Sequence, residues 1–560
     1  MPRYRTVPST VGNKNVWEPL RPMIPAKTAL LFGVFCTGGF AASEPDHGAN
    51  IDHIFAKWSD STPGCAVAVS KAGHLEFSKA YGSADLEHRI PNSLDTIFEA
   101  GSISKQFTAM AVLLLERDGK LSLDDPARKY IQEMPDYGTP VTIRQMLTHT
   151  AGLRDWGEIA TIEGWPRTTR VYEDSDILNI ISRQKQLNFA PGTRWSYSNT
   201  GYNLSEMIVH RVSGMSLAEF TRQRIFLPLG MTHTAWRDDY TRMVPDRAIA
   251  YSQKGDEFHA DMPFEDTYGH AGLLTTVGDL LKWNEHLAAP DAADSVLVET
   301  QQRNYQLNNG RPTDYGYGVF IHKFKGAAEI SHTGSTAGYS SFLARYPGQG
   351  LSIVMLCNVA EVNTWEYGHA IADIWIPDPA RLQTSQSKVF HLSAAQANRL
   401  VGTYRDLLTG KPTKISLESA KLRFGAGTIM SPLSPTRFYM DGKTADVDAH
   451  GTLTLTDAYG IIDQFERVAP LNPSALQPAN LVGKYGSPEL AGEVTVQASG
   501  QSVTLKYGTK TTLNLEPAYD GVFSNGQVTA QFSDNVNGKS TVLTISSDRV
   551  WNLRLARINR

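Results

Sequence analysis

The pattern of apolar and polar positions divides the chain into stretches of different period. From about residue 50 a short helical pattern leads into strand-like runs at 66–69 and 75–81, with Lys71-Ala72-Gly73 as the turn between them. Residues 100–300 alternate helical periodicity with loops, most clearly helical at 204–212 and 277–288. Strand patterns return at 319–321, 341–346 and 351–357, and a helix at 364–375 closes the segment. Strands at both ends with helices between predict an α+β domain over residues 44–378, its antiparallel sheet joining strands distant in the chain. A Pro-, Ser- and Gln-rich stretch at 379–393 reads as a linker. Beyond it the pattern becomes short alternating strands and turns. Leu400-Val401-Gly402-Thr403-Tyr404 returns 81 residues later as Leu481-Val482-Gly483-Lys484-Tyr485. Leu422-Arg423-Phe424 matches Val503-Thr504-Leu505 at the same offset, and Phe465-Glu466-Arg467-Val468 resembles Leu555-Ala556-Arg557-Ile558. Two related antiparallel β-domains, small barrels at 394–471 and 472–560, are expected; two copies are too few for a solenoid.

Composition changes this picture at the N-terminus. A secretory signal is readable from Met23, the expected start of translation: Lys27 is its basic region, 28–40 its apolar region and Ala41-Ala42-Ser43 its cleavage site. The apolar run is too short to span a bilayer, and no other stretch reaches the necessary ~18–20 apolar residues. A periplasmic or secreted protein with no stable membrane span after cleavage of the 1–43 leader is expected. Cys36 lacks the preceding pattern for lipidation. Cys65 and Cys357 then remain, each in an apolar strand-like run, and buried free thiols are expected, with pairing after export the alternative. The net charge of −4 with scattered basic residues excludes a nucleic-acid footprint. No metal-ligand spacing stands out. Asp446-Val447-Asp448-Ala449-His450-Gly451, with Asp457 beyond, faintly suggests a calcium loop but lacks helical flanks, so a turn is expected. Neither metal nor organic cofactor is implied.

The candidate chemistry begins at Gly101-Ser102-Ile103-Ser104-Lys105, which opens the most hydrophobic helical pattern in the chain. From Phe107 it runs Thr108-Ala109-Met110-Ala111-Val112-Leu113-Leu114-Leu115 and ends at Asp118-Gly119. A helix apolar nearly all round is a buried one, with Gly119 as its C-cap glycine. Residues three apart share a face, so the Lys105 amine can reach the Ser102 hydroxyl. Burial lowers a lysine pKa and makes the amine a base, while a helix N-terminus offers N–H groups to an oxyanion. The same S-x-x-K spacing occurs at Ser182–Lys185, in a polar stretch, and at Ser385–Lys388, in the linker; neither opens a buried helix. Taken alone, Ser102 also fits an N-cap followed by a surface lysine.

Two further motifs carry polar groups into loops. Pro191-Gly192-Thr193-Arg194-Trp195-Ser196-Tyr197-Ser198-Asn199 ends just before another apolar helix. Tyr197 can share a proton with a cationic lysine, and Asn199 can hold an amide; taken alone, the segment reads first as a core tyrosine with a capping asparagine. Ser331-His332-Thr333-Gly334-Ser335 ends a strand-like run, where His332 and Thr333 would face a cleft and Gly334 would admit a substrate backbone, or the segment is a plain turn.

In the order S-x-x-K, Y-x-N, H-T-G, the chain resembles the serine β-lactamase and penicillin-binding-protein superfamily, especially class C β-lactamases, D-alanyl-D-alanine carboxypeptidases and D-aminopeptidases. Gln145-Met146-Leu147-Thr148-His149-Thr150-Ala151-Gly152-Leu153, Gly269-His270-Ala271-Gly272-Leu273 and Tyr315-Gly316-Tyr317-Gly318 add to the resemblance, which covers residues 50–375. It implies a β-lactamase/transpeptidase-like fold and two-step acyl transfer. Ser102 would be the nucleophile, with Lys105 and Tyr197 moving its proton. Backbone N–H groups of Ser102 and Ser335 would form the oxyanion hole, and Asn199, Thr333 and Gly334 would contact substrate. His332 would complete the proton network or meet the substrate's polar end. It stands where such β-lactamases carry the lysine of Lys-Thr-Gly, which tilts the expected substrate toward amides next to D-amino acids. An esterase, a weak β-lactamase and a non-catalytic penicillin-binding sensor remain the alternatives.

Overall fold

The two most apolar strand-like runs lie side by side, although 292 residues separate Cys65 from Cys357. The computed structural model describes residues 47–558, apart from 168–169, 377–389, 426, 441–442, 457–461, 473–475 and 510. The leader, residues 379–389 of the expected linker, Ser385–Lys388 and Asp457 therefore lie outside the described residues. The sheet is built from β1 (Cys65–Lys71), β2 (His74–Tyr81), β3 (Phe320–Phe324), β4 (Ala327–Thr336), β5 (Tyr339–Tyr346) and β6 (Leu351–Cys357), in the order β3-β4-β5-β6-β1-β2. Every pairing is antiparallel, with β1 and β6 in register from Cys65↔Cys357 to Lys71↔Leu351.

The helices that frame the sheet and site are α1 (His47–Ile54), α2 (Ser104–Arg117), α3 (Thr200–Ser213), α4 (Val277–Ala288) and α5 (Thr364–Trp375). Val67, Val69, Phe342, Ile353 and Met355 pack on one side of the sheet with Ile51 of α1 and Ile371 of α5. Ala66, Ala68, Leu343, Val354 and Leu356 point the other way, into the large core that includes α2, α3 and α4. Strands covered on both faces have no polar side to show, so β1 and β6 read as continuous apolar runs. Residues 104–115 of α2 are all buried, and Gly119 follows its C-cap Asp118 in the left-handed region, at φ 68°.

The cysteines differ from expectation. Cys65 and Cys357 are directly opposed in the β1–β6 ladder, 4.0 Å apart at Cα, and form a disulfide rather than two free thiols. Each run alone shows a small buried side chain; only the pairing of the chain's two ends shows that they meet.

Each C-terminal β-domain is a closed eight-stranded barrel, the first from Gly402–Asp406 to Ile462–Arg467 and the second from Gly483–Gly486 to Leu553–Arg557. The repeated residues are the fastening of each barrel. Tyr404 donates its hydroxyl to the Leu400 carbonyl at 2.9 Å, and Tyr485 does the same to Leu481 at 2.8 Å. Arg467 in the last strand donates to the carbonyls of Val401 and Arg399, as Arg557 does to those of Val482 and Asn480. A Cβ on Gly402 or Gly483 would come within 2.9 or 2.6 Å of these guanidinium groups, so any other residue there would push the arginine from its place. In the first barrel the Asp448 carboxylate accepts the backbone N–H groups of His450 and Thr452, both at 2.8 Å, and so caps a turn.

Labelling the unfolded, unreduced protein with iodoacetamide should leave Cys65 and Cys357 unmodified, and prior reduction should add two labels. Because the bridge closes a very long loop, the Cys65→Ala/Cys357→Ala protein should lose ~2–5 kcal/mol of stability, read as a lower denaturation midpoint.

Candidate active site

Ser102 sits in a single 3-10 turn, Gly101–Ile103, that leads into α2. Lys105 lies in the first turn of α2, three residues on, which sets it on the same face as Ser102. The turn docks on the free edge of β4. Strand β3 pairs with β4 only as far as Ser331, leaving the edge from residue 332 onward open to it. Gly101 has φ 53°, and a Cβ there would lie 2.7 Å from the Ser335 nitrogen. Gly334 has a different role from the one expected. A Cβ on it would lie 2.0 Å from the Ala100 carbonyl oxygen and 2.3 Å from Ser341 Oγ, so its bareness admits the protein's own backbone rather than a substrate. Glycines on both sides of this contact bring the backbones of Ser102 and Ser335 into one corner.

Lys105 is fully buried. Its Nζ donates to the His270 carbonyl at 2.7 Å and Asn199 Oδ1 at 2.9 Å, and it lies 3.1 Å from Ser102 Oγ. No carboxylate touches it among the described residues. Burial therefore pushes the amine well below its ordinary pKa of 10.5; the Arg549 and Arg167 cations push the same way and Asp155 opposes them. The carbonyl and amide oxygens can only accept. In the neutral amine both hydrogens are taken by them, and the lone pair is left for the Ser102 hydroxyl. That is the arrangement a general base needs.

The Tyr197 loop is held from beneath by His149, which has φ 58°. The His149 carbonyl accepts from Ser196 N at 3.0 Å, and its Nδ1 accepts from Ser198 N at 3.2 Å. Its ring lies 4.3 Å from that of Tyr197 between centres. Burial raises the Tyr197 pKa, with the Ser102 hydroxyl pulling the other way, so the phenol keeps its proton at neutral pH. Lys105 Nζ stands 4.9 Å from the centre of the same ring. Asn199 begins α3 without capping it through its side chain: its N–H donates to Asp155 Oδ2 at 2.8 Å, and its Oδ1 serves Lys105.

His332 projects from β4 into the pocket and is buried. Its Nδ1 donates to the Thr333 carbonyl at 2.6 Å, which fixes the tautomer, so Nε2 accepts from the Tyr315 hydroxyl at 3.0 Å. Burial brings its pKa down to about 3. His332 is thus a neutral side chain with both nitrogens engaged, not a cation for a substrate.

These groups surround a pocket of about 330 Å³ lined by Ser102, Tyr197, Asn199 and His332, with Thr333 and Ser335 at the strand edge. Trp195 and Phe320 give it an aromatic wall. Ser182, by contrast, bonds to the Asn179 carbonyl of its own helix, far in role from any pocket. Four side chains of the site were not singled out in the sequence, Phe320 of the aromatic wall among them. Arg167 reaches the pocket paired with Glu265 at 2.6 and 2.9 Å, and with the His270 ring at 2.8 Å. Tyr315 fixes His332. Arg549 comes from the second barrel, its guanidinium carbon 4.9 Å from the centre of the Tyr197 ring. Tyr315 lay within a recognised segment, whereas no signal in the sequence marked Arg549.

Asn199→Asp would put a carboxylate against Lys105 and favour its charged form. The acid limb of the kcat/KM–pH profile should move up by ~1–3 pH units, with loss of rate at neutral pH. Asn199→Ala should lower the rate without that upward shift.

Comparison with known proteins gives the family and the fold. A family model described as Beta-lactamase matches residues 50–370. The chain is 28% identical over 411 residues to penicillin-binding protein 4* of Bacillus subtilis, covering 68% of this chain and 89% of that protein. It is 28% identical over 453 residues to a D-aminopeptidase of Gluconobacter oxydans, covering 78% and 82%. Among solved structures, the octameric penicillin-binding protein homologue from Pyrococcus abyssi superposes with a TM-score of 0.53 at 22% identity, over 75% of this chain and 99% of that one.

Proposed function

The chain belongs to the Beta-lactamase family and is a serine hydrolase, and from that premise we propose that it cleaves amide bonds next to D-amino acids through an acyl-enzyme on Ser102. The observation that carries the mechanism is the Lys105 amine, buried among two obligate acceptors with its lone pair left for the Ser102 hydroxyl. Ser102 Oγ attacks the substrate carbonyl carbon as its proton passes to Lys105 Nζ. The oxyanion so formed lies against the backbone N–H groups of Ser102 and Ser335, each such donor worth ~10²–10³ in rate. The proton moves on through the neutral Tyr197 phenol to the leaving nitrogen, and the C–N bond breaks. Water then attacks the ester with the same groups acting in reverse, releasing the acid and restoring Ser102. Asn199 turns its Nδ2 to the substrate carbonyl while its Oδ1 holds Lys105. The D-aminopeptidase relatives support the stereochemical preference.

The protein is an exported one. The leader readable from Met23 supports this, as does the Cys65–Cys357 bridge, a linkage that persists in oxidising compartments.

Turnover of D- and L-alanyl p-nitroanilides, and of N-acetyl-D-Ala-D-Ala and its L counterpart, tests the reading. The D-forms should be preferred by roughly tenfold or more. Ser102→Ala should lose at least ~10³ in kcat and gain no mass on treatment with a fluorophosphonate. Equal turnover of both hands would remove the D-amino-acid assignment, and an adduct on Ser102→Ala would remove the nucleophile.

A further inference from the structure

The catalytic pocket is completed by a residue from another domain. The loop between the last two strands of the second barrel, Ser547-Asp548-Arg549-Val550-Trp551, is fastened to the catalytic domain through its backbone. Asn188 grips it twice: Nδ2 donates to the Arg549 carbonyl at 2.9 Å, and Oδ1 accepts from Trp551 N at 2.8 Å. Asp155 N donates to the same Arg549 carbonyl at 3.3 Å, and Arg549 N donates to Glu158 Oε2 at 3.2 Å. The Trp551 ring packs against Phe189, 5.3 Å between centres. Beneath the loop, buried Arg154 pairs with Glu489 of the same barrel at 2.8 Å and donates to the Trp551 carbonyl at 3.3 Å. None of these contacts needs the Arg549 side chain, yet together they fix where it points.

That side chain lines the pocket beside Ser102 and Tyr197. Its charge neighbours are Asp155 and Glu158, at 3.9 and 4.0 Å, beyond hydrogen-bond reach. Both carboxylates are occupied elsewhere: Asp155 by the N–H groups of Gly157, Glu158 and Asn199, and Glu158 by the Ser547 hydroxyl and Arg549 N. Among the described residues the Arg549 guanidinium donates no hydrogen bond, and 38% of the side chain is exposed. The other charges at the site are engaged. Arg167 is held by Glu265, Lys105 faces Ser102, and His332 is neutral. A guanidinium with open donors, fixed at the mouth of a catalytic pocket, is a receptor for a carboxylate.

Its position says which carboxylate. In the mechanism proposed above, on which this inference rests, Tyr197 hands the proton to the leaving group. The guanidinium lies over the Tyr197 ring and so stands on the leaving-group side. We infer that Arg549 is a substrate-binding residue contributed by the second barrel, which takes the carboxylate of the departing amino acid and directs the enzyme to the carboxyl end of its substrate. The barrel is then a specificity element rather than a cover.

The test uses the full-length protein and two acyl-D-alanyl thioesters that differ only in the leaving group: mercaptoacetate, which carries the carboxylate, and its methyl ester, which does not. The wild type should favour the anionic member in kcat/KM by ~10–100-fold, the range of a charge-assisted bidentate contact. In Arg549→Gln, which keeps the stem over Tyr197, the ratio should collapse toward one, with the loss in KM; Arg549→Lys should restore part of it. In the wild type, raising the salt concentration should raise KM for the anionic member alone. An unchanged ratio in Arg549→Gln, or a salt effect equal for both members, overturns the inference even should a variant fold poorly. Because both members share the D-alanyl group, the ratio reads Arg549, while the comparison of D- with L-alanyl amides reads the proposed function.

Discussion

A lysine buried without a carboxylate is the constraint on which this structure depends. An ammonium at the Lys105 position would face three oxygen atoms and no carboxylate in contact, with the repulsion of two arginines opposed by the more distant Asp155. The neutral amine is the form this surrounding favours, and that form makes Ser102 reactive. Much of the nearby architecture preserves that arrangement. Asn199 supplies an acceptor of the right size without a charge. The His270 carbonyl supplies a second, and His270 is steadied by Arg167, itself neutralised by Glu265. A single carboxylate in place of either acceptor would restore the charged amine and remove the base.

The fold places this group by bringing distant parts of the chain to one strand edge. The 3-10 turn carrying Ser102 can lie against β4 only because Gly101 and Gly334 have no side chains at the contact. His149 supports the Tyr197 loop through one carbonyl and one ring nitrogen. The sheet beneath is covered on both faces and tied between β1 and β6 by the disulfide. The second barrel is joined through apolar contacts such as Trp551 on Phe189 and through polar groups that include the buried Arg154–Glu489 pair. A buried pair of this kind adds little net stability over an apolar contact, but breaking one partner is costly, so it fixes register. Register is what a loop needs if it must set one guanidinium over one tyrosine.

The sequence was most legible where a local pattern has one physical meaning. The strand at 351–357 and the helices at 277–288 and 364–375 have the bounds that their periodicity indicates. The repeated Leu-Val-Gly-x-Tyr carried two barrels because each copy fastens its own first and last strands. The spacing of Ser102 and Lys105 became specific through the buried helix that follows, where Ser182–Lys185 had none. What escaped were relations between distant residues. The disulfide needs β1 and β6 to be neighbours, which neither run states. Gly334 was read toward the substrate, but its neighbour is Ala100. Arg549 lies 352 residues beyond Tyr197 in a polar turn, and nothing local distinguishes it from any surface arginine.

The account stands on the protonation state of Lys105, which can be measured without substrate. Protein labelled with 13C at lysine Cε, compared with its Lys105→Ala variant to assign the resonance, reports that titration directly. The account predicts a midpoint well below the ordinary 10.5, with Lys105 apart from the remaining lysines. A midpoint at or above 10.5 would mean that the amine is an ammonium at neutral pH, and the mechanism built on its lone pair would be wrong.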